Sequence, residues 1–275
     1  MSRKNLFNID NLSAQDIDEN SELIPLMTPE DELEISKEEL PQTLPILSLR
    51  NTVLFPGVVI PITASRDKSI RLIKDANNFN KLIGVVAQKD ESVEDPKLKD
   101  IYNIGTVAKI IKVLQMPDGN TTVIIQGKKR FEIERVISET PYITSNIKDN
   151  PEENPGKENS EFNAIIDSIK DLSLEIIKRN PNIPSEASFA IKNIESNSFL
   201  INFVASNLNL PVNEKQKLLE INDLQQRALD TLKHMNVEFK KLEIKNDIQS
   251  KVQNDLNQQQ SCLLYTSPSP RDALE

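Results

Sequence analysis

The chain has 275 residues with 33 Lys+Arg against 42 Asp+Glu, a formal net charge of −9, one His, one Cys, no Trp and six Gly. One His and one Cys cannot furnish an ordinary zinc site, and one Cys forms no intrachain disulfide, which points to a reducing, cytoplasmic setting. Neither G-x-x-x-x-G-K-[ST] nor G-x-G-x-x-G occurs, no apolar run approaches the ~20 residues of a membrane span, and the opening MSRKNLFNIDNLSAQDIDEN lacks the apolar stretch of a secretory signal.

The charge is unevenly spread. Residues 1–42 hold 11 acidic and 3 basic side chains, whereas residues 43–150 hold 12 and 16. The leader, residues 1–42, is therefore too acidic and too poor in apolar residues to offset its ordering entropy, and it reads as disordered. Within it Thr28-Pro29-Glu30 offers a short helix start, with Thr28 as N-cap and Pro29 in the first helical position.

At Leu44 the texture changes. Leu44–Arg50 alternates as a half-buried strand, Phe55-Pro56-Gly57 turns, and Val58–Ile62 is extended again, with Pro61 marking an edge or bulge. Residues 66–76 form an amphipathic helix, with Ile70 and Ile73 inward, Arg66, Lys68 and Arg71 outward, and Asp67 paired to Arg71. Leu82–Ala87 and Gly105–Leu114 read as strands. The Asp118-Gly119 hairpin signal leads into Thr121–Ile125, and after Gly127-Lys128-Lys129-Arg130 comes another strand, Phe131–Ile137. Tyr142–Thr144 closes a β domain placed at 43–149, whose six or seven strands and one helix predict a small barrel or coiled sheet.

Residues 150–159, rich in Pro, Asn and Glu, read as a linker. A helical region at 160–221 follows. Asn159 or Ser160 caps its first helix, in which Phe162, Ile165, Ile166, Ile169, Leu172 and Ile176 recur at three- and four-residue steps. Residues 222–260 read as one long helix entered through a capping-box-like Asp223 and Gln226. On it Ala228, Leu232, Met235, Phe239 and Leu242 form a coiled-coil-like seam, which drifts in register where Asn246 and Gln249 take the next positions. A helix of that length reaches on the order of 55 Å, so it is expected to project or to pack on a neighbouring subunit. Residues 261–275 break the pattern. CLLYTSPSPRD resembles translated sequencing-adapter sequence, so Ser261–Glu275 is expected not to be native.

Several of these strings occur together in one family. LPILSLRNTVLFPGVVIPI, RDKSIRLI, LIGVVAQKD and DIYNIGTVAKIIKVLQMPDGNTTVIIQGKKRFEI resemble, in order and spacing, the amino-terminal region of the bacterial ATP-dependent Lon proteases. The resemblance spans about residues 43–260. It implies an α+β fold, a PUA-like β pseudo-barrel followed by an α-helical bundle ending in a long helix. It also implies a role in recognising misfolded, damaged or short-lived proteins and in joining a homo-hexamer. The parent's ATPase module, using ATP and Mg, and its Ser–Lys peptidase dyad would lie beyond this chain. The chain by itself is therefore expected to be inactive and to need no cofactor.

No catalytic constellation stands out: His234 has no nucleophile or carboxylate anchored to it, and Cys262 lies in the anomalous tail. The charged face Arg66, Asp67, Lys68 and Arg71, together with Phe55 beside its turn, is the candidate substrate or subunit contact. A solvated face and a core Phe55 are the plainer alternatives. Lys128-Lys129-Arg130 reads as a solvated turn rather than a nucleic-acid patch. A stand-alone PUA-like module binding protein or RNA is the second reading, though the β domain's aromatics do not cluster for base stacking.

Overall fold

The structure, a computed structural model, describes residues 29–115, 120–156, 159–180, 183–184 and 187–266. The Asp118-Gly119 turn, residues 1–28 and residues 267–275 lie outside them. The elements are α1 (Pro29–Lys37), β1 (Thr43–Leu49), β2 (Val59–Ala64), α2 (Asp67–Asn78), β3 (Leu82–Ala87), β4 (Ile104–Gln115), β5 (Thr121–Ser138) and β6 (Thr144–Asp149), then α3 (Ser160–Arg179), α4 (Ala187–Asn193), α5 (Asn197–Asn207), α6 (Val212–Glu220) and α7 (Leu224–Thr266). This is the expected α+β fold with a long last helix.

The six strands run in the order β2-β5-β4-β3-β1-β6, and β6 also pairs with β5, so five strands close on themselves while β2 flanks the closure. Only β1 and β3 pair in parallel among the described strands, and α2 lies on the crossover between them. Closure depends on β5. Its first half pairs with β2 and β4, and its second half pairs with the start of β4 and with β6. Register shifts along its ladders with β4 and β6 supply the local bends a small barrel needs.

The alternation along β1 sorts its side chains into two layers: Leu44 and Ile46 pack with Val86, Val107 and Phe131, while Leu47 and Leu49 pack with Leu72 and Ile73 of α2. Space inside is tight. A Cβ on Gly84 would stand 2.6 Å from the Ile46 side chain and 2.9 Å from the Phe131 ring.

The helical half packs directly on this barrel. Val53, Phe55, Val58 and Ala87 share one core with α3, α5, α6 and the first part of α7. Asn159 caps α3 by accepting from Phe162 N at 3.1 Å, and Asp223 Oδ1 accepts from Gln225 N at 2.8 Å to start α7. The Gln226 backbone N–H also donates to Asp223 Oδ1 at 3.3 Å, while its side-chain amide donates forward to Asp230, so the box is only half formed.

Four expectations are corrected. The segment 127–130 is no turn, because β5 runs unbroken through it and Arg130 is 2% exposed. Within the leader, 29–42 is ordered: α1 forms from Pro29, and Leu40 packs against the barrel. The linker is pinned at its start, where Glu153 N donates to Asn222 O and accepts at its carbonyl from Leu224 N. Finally, α7 runs through to Thr266, six residues beyond Gln260, so the helix does not stop where the apolar pattern does.

Candidate functional site

The α2 face is built by the turn that delivers Arg66 and by the outward positions of the helix. Arg66 donates to Ser48 Oγ at 3.2 Å and to Gln88 Oε1 at 3.1 Å, and burial, aided by Arg50, pulls its guanidinium below its ordinary pKa. Lys68 pairs with Asp95 at 2.6 Å. Together with Lys97, Glu139 and Tyr142 these residues line a groove of about 80 Å³ beside β1. Arg71 sits outside the groove and reaches Asp75, not Asp67, at 4.0 Å. Of the predicted contact set, then, Arg66 and Lys68 meet in one concavity, while Asp67 and Arg71 point to solvent.

Phe55 is not part of any contact surface. It is 0% exposed, at the seam between barrel and helices. The strand β5 crosses it so closely that a Cβ on Gly127 would stand 2.3 Å from Phe55 O. Apolar side chains that do face solvent went unremarked in the sequence: Phe79, just past α2, is 89% exposed, and Phe189 on α4 is 68% exposed. Phe79 stands among Asn and Lys, which give it no apolar neighbours to pack against.

A polar node joins the two halves. Arg130 on β5 donates to the carbonyls of Leu219, Ile221 and Pro151 at 2.8–3.0 Å, and Arg227 on α7 donates to Glu152, Asn202 and Ile221. Glu152 lies between the two guanidinium groups, bonded to Arg227 and 3.9 Å from Arg130 Nε, and it also accepts from Ser198. Burial pushes the Glu152 carboxyl up. Arg227, Ser198 and Arg130 outweigh it and hold the group below the usual carboxylate range. Burial, with repulsion from Arg227, pulls Arg130 down to about 10. Arg130 Nε makes no hydrogen bond.

Beside this node lies a cavity of about 180 Å³, lined by Lys128, Lys129 and Arg130 of β5, by Asp149 and Glu152, and by Ser198 and Asn202 of α5. Helix α1 covers it. Ile35 packs against the helical core, Glu32 accepts from Ser196, Glu38 pairs with Lys128, and Lys129 donates to Glu38 O at 2.7 Å. With α1 in place, the Lys-Lys-Arg triplet is thus engaged by internal partners.

The residues of the expected coiled-coil-like seam on α7 pack within the chain itself. Ala228 and Met235 are buried, and Leu232, Phe239 and Leu242 pack on the same core, with α7 lying along α3. The Arg179 guanidinium stacks 4.7 Å from the centre of the Phe239 ring, and Arg179 also pairs with Glu243. Asn246, where the seam drifts, donates to Arg179 O at 3.3 Å and so closes the end of α3. Beyond it Ile248, Val252 and Leu256 are about half exposed (56%, 52% and 48%). The helix does project. His234 is half-buried on α7, and the groups that sense it electrostatically are the carboxylates of Glu214 and Asp230. No helix among the described residues is long and apolar enough to cross a membrane.

Comparison with known proteins places this architecture. Residues 43–237 match the profile of the ATP-dependent protease La (LON) substrate-binding domain. The chain belongs to that family. It is 66% identical over 260 residues to the Lon protease of Flavobacterium johnsoniae, covering 94% of this chain and 32% of the relative. Against the Lon protease of Cytophaga hutchinsonii it is 47% identical over 239 residues, covering 87% and 29%. The chain thus spans about a third of the length of these Lon relatives. The N-terminal domain of the Mycobacterium avium complex Lon protease has the same fold, with a TM-score of 0.57 at 21% identity over 70% of this chain and 98% of that one. The Lon substrate-binding match takes in the barrel, the polar node and the part of α7 that carries Ala228, Leu232 and Met235.

Proposed function

We propose that this chain is the substrate-recognition and oligomerisation region of a cytoplasmic, hexameric ATP-dependent serine protease that degrades misfolded and short-lived regulatory proteins. The reading rests on the match of residues 43–237, which takes in the barrel and most of the helical half as one unit. Within it, the groove holding Arg66 and Lys68 and the exposed rings of Phe79 and Phe189 are the contacts for unfolded segments. An exposed ring offers an unfolded chain a large apolar area at the cost of fixing only two side-chain torsions. The projecting half of α7 supplies the contact between subunits. ATP hydrolysis and peptide cleavage belong to parts of the protein outside these 275 residues.

The test is binding of the purified chain to a permanently unfolded protein, such as reduced carboxymethylated lactalbumin, against its native form. The expected result is binding of the unfolded form alone, weakened several-fold by Phe79→Ser combined with Phe189→Ser at an unchanged melting temperature. Equal binding of both forms, or ATP-dependent casein cleavage by this chain, would overturn the reading. An RNA-binding role is disfavoured by the internal commitment of Lys128, Lys129 and Arg130.

A further inference from the structure

The cavity between barrel and helices has an excess of positive charge that its own walls do not balance. Lys128, Lys129 and Arg130 line it against Asp149 and Glu152, and Glu152 is shared with the buried Arg227 of the adjoining node. Arg130 Nε is buried there without a hydrogen-bond partner. Acidic groups that meet this site from the leader are Glu32 on α1, whose nine residues read PEDELEISK, and Glu38, the residue just past the helix.

The described contacts of α1 with the rest of the chain include the half-buried Ile35 on the helical core and the Glu32 carboxylate on Ser196, and just past the helix a Glu38 side chain that is 52% exposed pairs with Lys128. A helix this short is unstable in water on its own, below the roughly 12–15 residues at which isolated helices become marginal. Such a docked segment belongs to the low end of local stability and opens without unfolding the rest.

We propose that this basic cleft is a receptor site for acidic amphipathic helices, and that α1 is its resident intramolecular ligand, displaced by an acidic segment of an incoming substrate protein. The proposal deepens the substrate-binding reading and rests on it. Recognition requires carboxylates one to two turns apart flanking an aliphatic residue, as Glu32, Ile35 and Glu38 are spaced. The carboxylates meet Ser196 and Lys128, and the aliphatic side chain meets the helical core. Tethering gives α1 a high effective concentration, so it screens out weak acidic ligands and yields to strong or multivalent ones.

The experiment uses full-length protein and a labelled peptide of residues 29–42. Opening the cleft by Ile35→Gly should tighten peptide binding at least tenfold relative to the wild-type chain. Binding should weaken as salt rises, and should be lost when Lys128→Glu and Lys129→Glu are added. Glu32→Ala with Glu38→Ala is a second opening variant should Ile35→Gly lower the melting temperature. An acidic unfolded protein should compete the peptide off. Equal peptide affinity in wild-type and opened chains, or no binding to either opened variant, overturns the proposal. Direct binding of the unfolded protein is measured alongside. Unfolded protein that binds without displacing peptide overturns the cleft assignment and leaves the substrate-binding reading intact. Peptide that binds an opened chain while no unfolded protein does overturns both.

Discussion

Glu152 is the single carboxylate between two buried arginines, and replacing it with Gln removes a charge while keeping shape and the contact with Ser198. Arg130 and Arg227 are each 0% exposed in their side chains, so water cannot take over the lost neutralisation. Removing one partner of such a buried set costs about 3–5 kcal/mol, a large share of the roughly 5–15 kcal/mol that holds a domain together. The pH dependence has a definite sign. Glu152 titrates below its ordinary value of 4.5 in the folded protein, so its contribution is fully present above the unfolded value and is lost as pH falls through the folded one. Urea titrations followed by circular dichroism at pH 7 and again at pH 3 check both statements. Glu152→Gln should lose its 3–5 kcal/mol at pH 7, and the gap to wild type should narrow at pH 3. A solvent-exposed control, Glu195→Gln, should leave the urea midpoint unchanged at both. A loss under about 1 kcal/mol at pH 7, or a gap that widens on acidification, would refute the charge-balance account of the node.

Other outcomes follow from geometry. Gly127→Ala places a Cβ 2.3 Å from Phe55 O, and since backbone has to move it should cost about 1–3 kcal/mol in chemical denaturation, with the barrel and helical signals shifting together. Met235→Ala should cost about 2–5 kcal/mol because the side chain is 1% exposed, whereas Ile248→Ala, at 56% exposure, should fall within about 0.5 kcal/mol of wild type. If Ile248→Ala instead lowers a sedimentation-derived mass without changing the melting temperature, the projecting half of α7 is identified as a subunit contact.

The periodic parts of the chain were legible and the tertiary commitments were not. Alternation placed β1, β3 and β4 within a residue or two, and the three- and four-residue steps placed α3 and the Ala228–Leu242 seam. Periodicity tells which face of a helix is covered but not by what, so α3 as the seam's partner was out of reach. Lys128-Lys129-Arg130 looked like a turn because three charges seldom sit in a strand interior. Their partners include Glu38, just past α1, and carbonyls near residue 220, some 90 positions away in each direction. The same holds for Glu152, which in sequence is an acid in a polar linker and in the fold neutralises the joint. Phe79 and Phe189 carried no signal beyond being aromatic, since exposure is a property of what does not pack on them.

The closing of β6 onto β1 has a consequence for synthesis. Thr43 bonds Asn146 across 103 positions of chain, so the barrel cannot close until both have left the ribosome. At ~5–20 residues per second that interval lasts on the order of 5–20 s, during which β1 lacks one of its neighbours and presents a bare strand edge. Long-range pairing of this kind also slows folding once the chain is free. For that interval the chain is itself an unclosed sheet with one open edge.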